Sequence, residues 1–498
     1  MTDSSVSVES LEPKSVWQFF AGLAAVPRPS KHEQKVRQHV LALAAKLGLA
    51  AREDGVGNIV IDVPATPGHE NAPATVLQGH LDMVGEKNSA TVHDFEKDPI
   101  RLVIDQEAGG QQIVRADGTT LGADNGIGVA MGLAVATDRS AVHGPLELLL
   151  TVDEEMGLSG AKVLTADFFK GRRMLNLDSE EDDAIYIGCA GGMDTTLTFE
   201  FGIQPPPPKA ELCRVTVTGL RGGHSGGDIH ENRGNAIKLL ARTLHGAGLK
   251  KLRLATAAGG SKRNAIPREA SAIVCGPKRM AGKLKKSAAQ VQADASAESY
   301  EDKLTINVEV VGPGDVKGVT SPRDGMKFLA VLLAAPSGVI NMHPKVEKLV
   351  QTSNNLSTIV PEVADGKLTL AVGLLSRSSS RSLLHLVAHQ LASIGLVSGA
   401  RIEQGGEYPG WEPNVDSPLL ATCRKLYEQV FGVPPKVLAM HAGLECGIIG
   451  ERVGGGMDMV SFGPAIKGAH SPDERVYVAS VQKSYKFLTA VLAELAKG

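Results

Sequence analysis

Behind a polar N-terminal stretch, apolar positions recur at helical spacing: Val36, Val40, Leu43 and Leu47, with Gly48 placed to end the helix. Ser30 and Glu33 precede them at the spacing of a capping box, in which hydroxyl and carboxylate satisfy free backbone donors. The pattern then changes. Residues 58–63 read as a strand, and 75–78, 146–152 and 174–177 are short apolar runs. Runs of that kind suit strands covered on both faces. Between them, 127–136 reads as a helix opening at Asp124-Asn125-Gly126. Helix and strand patterns in alternation predict a layered α/β domain.

Around Gly191-Gly192 the alternation restarts. Strand-like stretches at 195–201, 214–218, 273–274, 304–310 and 368–374, with helix-like ones at 235–244, 326–334 and 383–391, predict a second α/β domain inserted into the first. From residue 401 the first style returns and ends in an Ala/Leu-rich helix. The expected layout is a first domain over 1–192 and 400–498 with an insertion over 193–399. Residues 278–302, rich in Ala, Lys and Ser, read as a helix whose basic cluster is a solvated face.

Composition narrows the function classes. A chain of 498 residues, 43% apolar and 21% charged, has the profile of a globular protein with more than one domain. A net charge of −3 gives no footprint for nucleic acid or for an anionic membrane surface. No run nears the ~18 apolar residues that span a bilayer. The N-terminus lacks the basic and apolar regions of a signal peptide. Five scattered cysteines, with no CxxC pair, make neither a disulfide framework nor a thiolate metal knuckle. A cytoplasmic protein is expected.

The chemistry sits where apolar runs end. His80 and Asp82 follow 75–78, Asp153-Glu154-Glu155 follow 146–152, Asp178 follows 174–177, and His470 follows the apolar stretch 459–462 and a Gly/Pro-rich loop. Singly, each has an ordinary reading: Asp124 as a helix N-cap, Asp178 as part of an exposed acidic run. Ligands of open α/β sheets bind at the carboxyl ends of strands. His and carboxylate groups converging there without thiolates suit zinc, manganese or cobalt.

In this order, His80-Leu81-Asp82, Gly122-Ala123-Asp124-Asn125-Gly126, Glu154-Glu155, Leu177-Asp178-Ser179-Glu180 and His470-Ser471-Pro472-Asp473-Glu474 resemble the M20 family of metallopeptidases. Gly222-Gly223-His224-Ser225-Gly226-Gly227, Arg263-Asn264-Ala265-Ile266-Pro267, Tyr408-Pro409-Gly410-Trp411 and His441-Ala442-Gly443-Leu444-Glu445 resemble the branch of that family acting on aminoacyl-histidine dipeptides. The resemblance implies a mixed-sheet catalytic domain with an inserted α/β lid domain. It implies that His80 and Asp178 hold one divalent ion, that Glu155 and His470 hold another, and that Asp124 bridges them. Zinc is the expected metal, with manganese or cobalt as alternatives. Asp82 would accept the other ring N–H of His80, and Glu154 would be the general base. His224 would donate to the oxyanion; in several relatives it comes from the partner subunit, so a homodimer through the lid domain is expected. Asn264 and Arg377 would bind the substrate carboxylate, with Arg381 a rival in the same Ser-rich segment. Glu445 would pair with the substrate amine or serve as a buried structural carboxylate. The implied reaction is metal-dependent hydrolysis of unblocked dipeptides, Xaa-His included. Tripeptide aminopeptidases, deacylases of N-acyl amino acids and a non-catalytic relative are the alternatives.

Overall fold

The short apolar runs become the centre of an eight-stranded sheet. Thr75–His80 lies between Leu146–Thr151 and Arg173–Asn176, parallel to both, and Asp458–Ser461 extends the parallel set. Ala50–Glu53, Ile59–Val63 and Ala184–Cys189 pair antiparallel further out, so the sheet is mixed. Every residue of Thr75–His80 and Leu146–Thr151 is buried. The core around them gathers Trp17, Phe20, Ile61, Leu77, Ile127, Leu148 and Val491. Because the central strands are parallel, their carboxyl ends lie along one edge of the sheet.

The structure is a computed structural model that describes residues 7–299 and 301–498. Most of the polar N-terminal stretch read against a signal peptide, and Tyr300 within 278–302, lie outside the described residues. Among the described residues no helix is long and apolar enough to cross a membrane.

The chain divides into two units. One runs to Gly188 and resumes over Pro413–Ala439 and Glu445–Gly498; the other is Cys189–Glu412 with Met440–Leu444. The crossings expected at 192/193 and 399/400 therefore fall at 188/189 and 412/413. Arg401–Tyr408 is the reason for the second shift: it pairs antiparallel with Gly191–Gly202 and so completes the second unit's sheet. That sheet has nine strands, all paired antiparallel. Helices Ala236–Gly246, Met280–Ser299, Pro322–Ala334 and Arg381–Ser398 pack on it around Phe199, Phe201 and Phe328.

Its strands Arg253–Gly259, Gly338–Met342, Val350–Ala364 and Arg401–Tyr408 escape the pattern reading. Arg253–Gly259 carries mostly small residues. Val350–Ala364 buries a polar run instead of an apolar one: Asn354 donates to Pro336 O, Asn355 to Ala265 O, and Ser357 to Arg263 O. Buried polar groups need such partners, and hydropathy alone does not show them.

The capping box does not form. The helix is Gln34–Lys46, with Glu33 at its N-cap making no side-chain cap bond. Ser30 Oγ instead donates to Asp82, and Glu33 accepts from the backbone N–H groups of Lys31 and Asp153. The buried stripe is Val36, Val40 and Ala44, and Gly48 ends the segment at φ +71°.

Candidate functional site

His80 ends its strand with both ring nitrogens engaged. Nδ1 lies 3.4 Å from Asp82 Oδ1, and Nε2 lies 3.0 Å from Asp124 Oδ1 and 3.3 Å from Asp178 Oδ1. His470 Nε2 lies 2.9 Å from Glu155 Oε2 and 3.3 Å from Asp124 Oδ2. Asp124 thus turns one oxygen to each histidine. The ligand atoms of His80, Asp124 and Asp178 all lie within 4.8 Å of one another, and so do those of Asp124, Glu155 and His470. Glu154 lies within the same distance of His80 and Glu155.

Asp82, fully buried, fixes more than the histidine ring. Its Oδ1 accepts the Glu154 N–H at 3.0 Å, and its Oδ2 accepts the Glu155 N–H at 3.2 Å and Ser30 Oγ at 2.8 Å. Burial would raise its pKa, but the His80 contact and these donors outweigh it and hold the carboxyl down at about 2. The backbone turns sharply ahead of Glu154, with Asp153 at φ +55° and its N–H donated to Glu33.

Three residues that the sequence reading passed over hold the loops in place. Glu474 accepts the backbone N–H groups of Leu121 and Gly122 on one oxygen and of Ala123 and Asp124 on the other, at 2.7–3.3 Å. Arg28, 2% exposed, donates to the carbonyls of Leu81, Asp82 and Gly122. Asn125 donates to Leu177 O at 2.6 Å and accepts the His80 N–H at 3.3 Å. Gly122, at φ +69°, has Arg28 Nη2 2.6 Å from where a Cβ would sit, so no side chain fits there. Asn125 belongs to the Gly122–Gly126 motif and Glu474 to the His470–Glu474 motif, and that membership is their signal in the sequence. Arg28, between two prolines, gave none.

The cluster carries more negative charge than its fixed cations balance. Asp82, Asp124, Asp178, Glu154, Glu155 and Glu445 converge, and Arg28 is the permanent cation buried among them. The carboxylates compensate by capturing protons. Hydrogen bonds to Asp124 and Glu155 push His470 up to about 11. Burial disfavours charge on His80, yet Asp178 and Asp124 outweigh it and raise its pKa well above the usual value. Burial raises Asp178 to about 7, and burial with nearby Asp178, Glu445 and Glu155 raises Glu154 well above the carboxylate range. Glu155 Oε1 is buried with no hydrogen-bond donor. Each imidazolium stands where a cation between carboxylates is needed. Two divalent ions would meet that need with one histidine and two carboxylates apiece, Asp124 shared. The donor set fits zinc, manganese or cobalt, and the cysteines take no part in it.

Glu445 is wholly buried in the same unit. Its Oε2 accepts Gln78 Nε2 and Thr151 Oγ1, each at 2.6 Å, and burial pushes its pKa up to about 8. Those partners sit on the two strands that end at His80 and ahead of Glu154. Glu445 Oε1 is buried with no hydrogen-bond donor.

His224, Asn264 and Arg377 lie in the second unit. His224 Nδ1 accepts the N–H groups of Gly226 and Gly227 at 3.3 and 3.0 Å. Burial, with Arg377 nearby, lowers its pKa. A neutral ring accepting at Nδ1 carries its proton on Nε2. Asn264 is exposed beside it, its carbonyl accepting the Ser225 N–H at 2.8 Å. Arg377 is 5% exposed, with Nη2 3.5 Å from His224 Nε2. Arg381 opens the helix Arg381–Ser398, points to solvent and pairs with Glu407 at 3.3 Å. Of the two rivals, Arg377 stands beside His224.

Residues 76–494 match peptidase family M20/M25/M40. The chain is 41% identical over 489 residues to the cytosol non-specific dipeptidase of Escherichia coli (strain K12), covering 98% of this chain and 99% of that protein. The crystal structure of aminoacylhistidine dipeptidase from Vibrio alginolyticus superposes with a TM-score of 0.89 at 42% identity, covering 99% of both chains. A tripeptidase from Staphylococcus aureus, at 14% identity and a TM-score of 0.60 over 98% of this chain and 100% of that one, shares the fold. With the match spanning most of its length, the chain belongs to peptidase family M20/M25/M40.

Proposed function

We propose that this protein hydrolyses the peptide bond of unblocked dipeptides, Xaa-His dipeptides among them, in a metal-dependent reaction. The observation that carries the reading is the pair of His–carboxylate clusters sharing Asp124 beside a further carboxyl, Glu154. The likeness to the two dipeptidases, along nearly the whole chain, supports the substrate class.

His80 and Asp178 would hold one ion and Glu155 and His470 the other, with Asp124 between them. Bound divalent ions, zinc first among them, would supply an acidified water and a polarised scissile carbonyl. Glu154 takes the proton of the attacking water and delivers it to the leaving amine. Asp82 keeps the His80 ring turned and, through two backbone N–H groups, sets the base and a ligand carboxylate at fixed positions relative to it. His224, with its proton on Nε2, donates to the developing oxyanion. Arg377, with Asn264, takes the substrate's terminal carboxylate in forked hydrogen bonds. The same reading includes a homodimer through the second unit and a cytoplasmic location, which suits five buried thiols.

Zinc-loaded protein presented with Ala-His, Ala-Ala-His and N-acetylalanine tests the substrate class. Ala-His is expected to lead the others in kcat/KM by about 10²-fold or more, since a site built around both charged ends leaves polar groups unpaired with the wrong ligand. Release of acetate from N-acetylalanine without cleavage of Ala-His would replace this reading with a deacylase.

A further inference from the structure

A row of residues crosses four strands of the second unit. Tyr408 pairs with Gly192, Gly192 with Arg377, and Arg377 with Ser353. Directly paired positions share one face of an antiparallel sheet. Gly192 leaves that face bare, and the Tyr408 ring fills the room: a Cβ at 192 would lie 2.6 Å from Cε1, Cζ and the hydroxyl oxygen. Gly443 borders the ring as well, with a Cβ there 3.2 Å from Cε2. Laid across Gly192, the phenol reaches Arg377, whose Nη1 donates to the hydroxyl oxygen at 2.7 Å.

A guanidinium only donates, so the Tyr408 hydroxyl keeps its own proton for another acceptor. Arg377 forms no ion pair among the described residues, and its Nε is buried without an acceptor. His224 Nε2 offers a proton rather than a lone pair. Ser353 Oγ is engaged by His441 Nε2 at 2.7 Å. A buried guanidinium with spare donors and no carboxylate in contact is costly unless an anion completes it.

We propose that the Tyr408 hydroxyl is a further donor, beside Arg377 and Asn264, to the terminal carboxylate of a dipeptide, and that Gly192 is bare so that the phenol can reach it. The proposal rests on the dipeptidase reading for its ligand. Tyr408 thereby sets the preference for a free carboxylate over a neutral end.

Tyr408→Phe removes the hydroxyl and keeps the ring. Loss of one charge-assisted hydrogen bond is expected to shrink the preference for Ala-His over Ala-His amide, measured as a ratio of kcat/KM, about tenfold through the KM of the free peptide. Gly192→Ala, which drives the ring from its place, is expected to give the same change. A folding defect would depress both peptides together, so an unchanged preference overturns the proposal whatever the overall activity. The same pair of ligands titrated calorimetrically into zinc-loaded Glu154→Gln protein reads the seat with turnover slowed about 10³-fold. Weaker binding of Ala-His alone in the Tyr408→Phe background supports the proposal, and equal effects on both ligands overturn it. Absence of wild-type cleavage of Ala-His would sink the dipeptidase reading separately.

Discussion

Glu154→Gln is expected to lower kcat for Ala-His about 10³-fold, within the range for loss of a positioned general base, while metal content stays at two ions per chain. Glutamine matches the size of glutamate but cannot carry a proton between water and amine. The backbone N–H of residue 154 still reaches Asp82, so the turn that places Glu155 is kept. The two clusters that share Asp124 do not include Glu154. Steady-state kinetics beside metal analysis separates the roles. Loss of an ion along with activity would make Glu154 a ligand. Unchanged kcat would take the base assignment away.

Arg28→Met is expected to lower the unfolding free energy of the metal-free protein by about 3–5 kcal/mol, the cost of removing one partner from a buried charged network. That is a large part of the roughly 5–15 kcal/mol that holds a native protein together. The side chain is 2% exposed and bonds three carbonyls, those of the two residues after His80 and one ahead of Asp124. Methionine fills similar volume but leaves those carbonyls without donors and the carboxylates without their fixed cation. Burial works against the charge on Arg28, and Glu474, Asp82 and Asp124 favour it. Metal ions would replace part of the missing charge, so the loss should be smaller in the zinc-loaded protein. Denaturant melts of both forms check this, and a change below about 1 kcal/mol in each would mean the carbonyls find other donors.

His80, Glu154, Glu155, Asp178 and His470 were legible in the sequence because chemistry and chain position coincide there, and Asp124 through the resemblance to the M20 family. An apolar run followed by His, Asp or Glu marks a strand end, and such ends on neighbouring parallel strands lie along one edge of the sheet. What holds them was not legible. Glu474 binds a loop some 350 residues away and Arg28 a carbonyl 94 residues away, and local pattern carries no trace of either pairing. Ser30 and Glu33 show how a local rule loses: their side chains could cap a helix, but Asp82 and the Asp153 N–H were buried within reach and needed partners. Arg377 and Arg381 differ by a register that only the strand resolves. The first faces Tyr408 across Gly192, and the second begins a helix on the surface. The second crossing falls later than the position expected near 400 because Arg401–Tyr408 has the polarity of an exposed edge, and no local pattern assigns such a segment to either sheet.

The most direct test of the account is cleavage of Ala-His by protein stripped of metal and then titrated with zinc. Activity is expected to be absent in the stripped protein and to return as zinc is restored, saturating at two ions per chain, with His470→Ala retaining one ion and little activity. Full activity in the stripped protein, or no cleavage with two ions bound, would contradict the account.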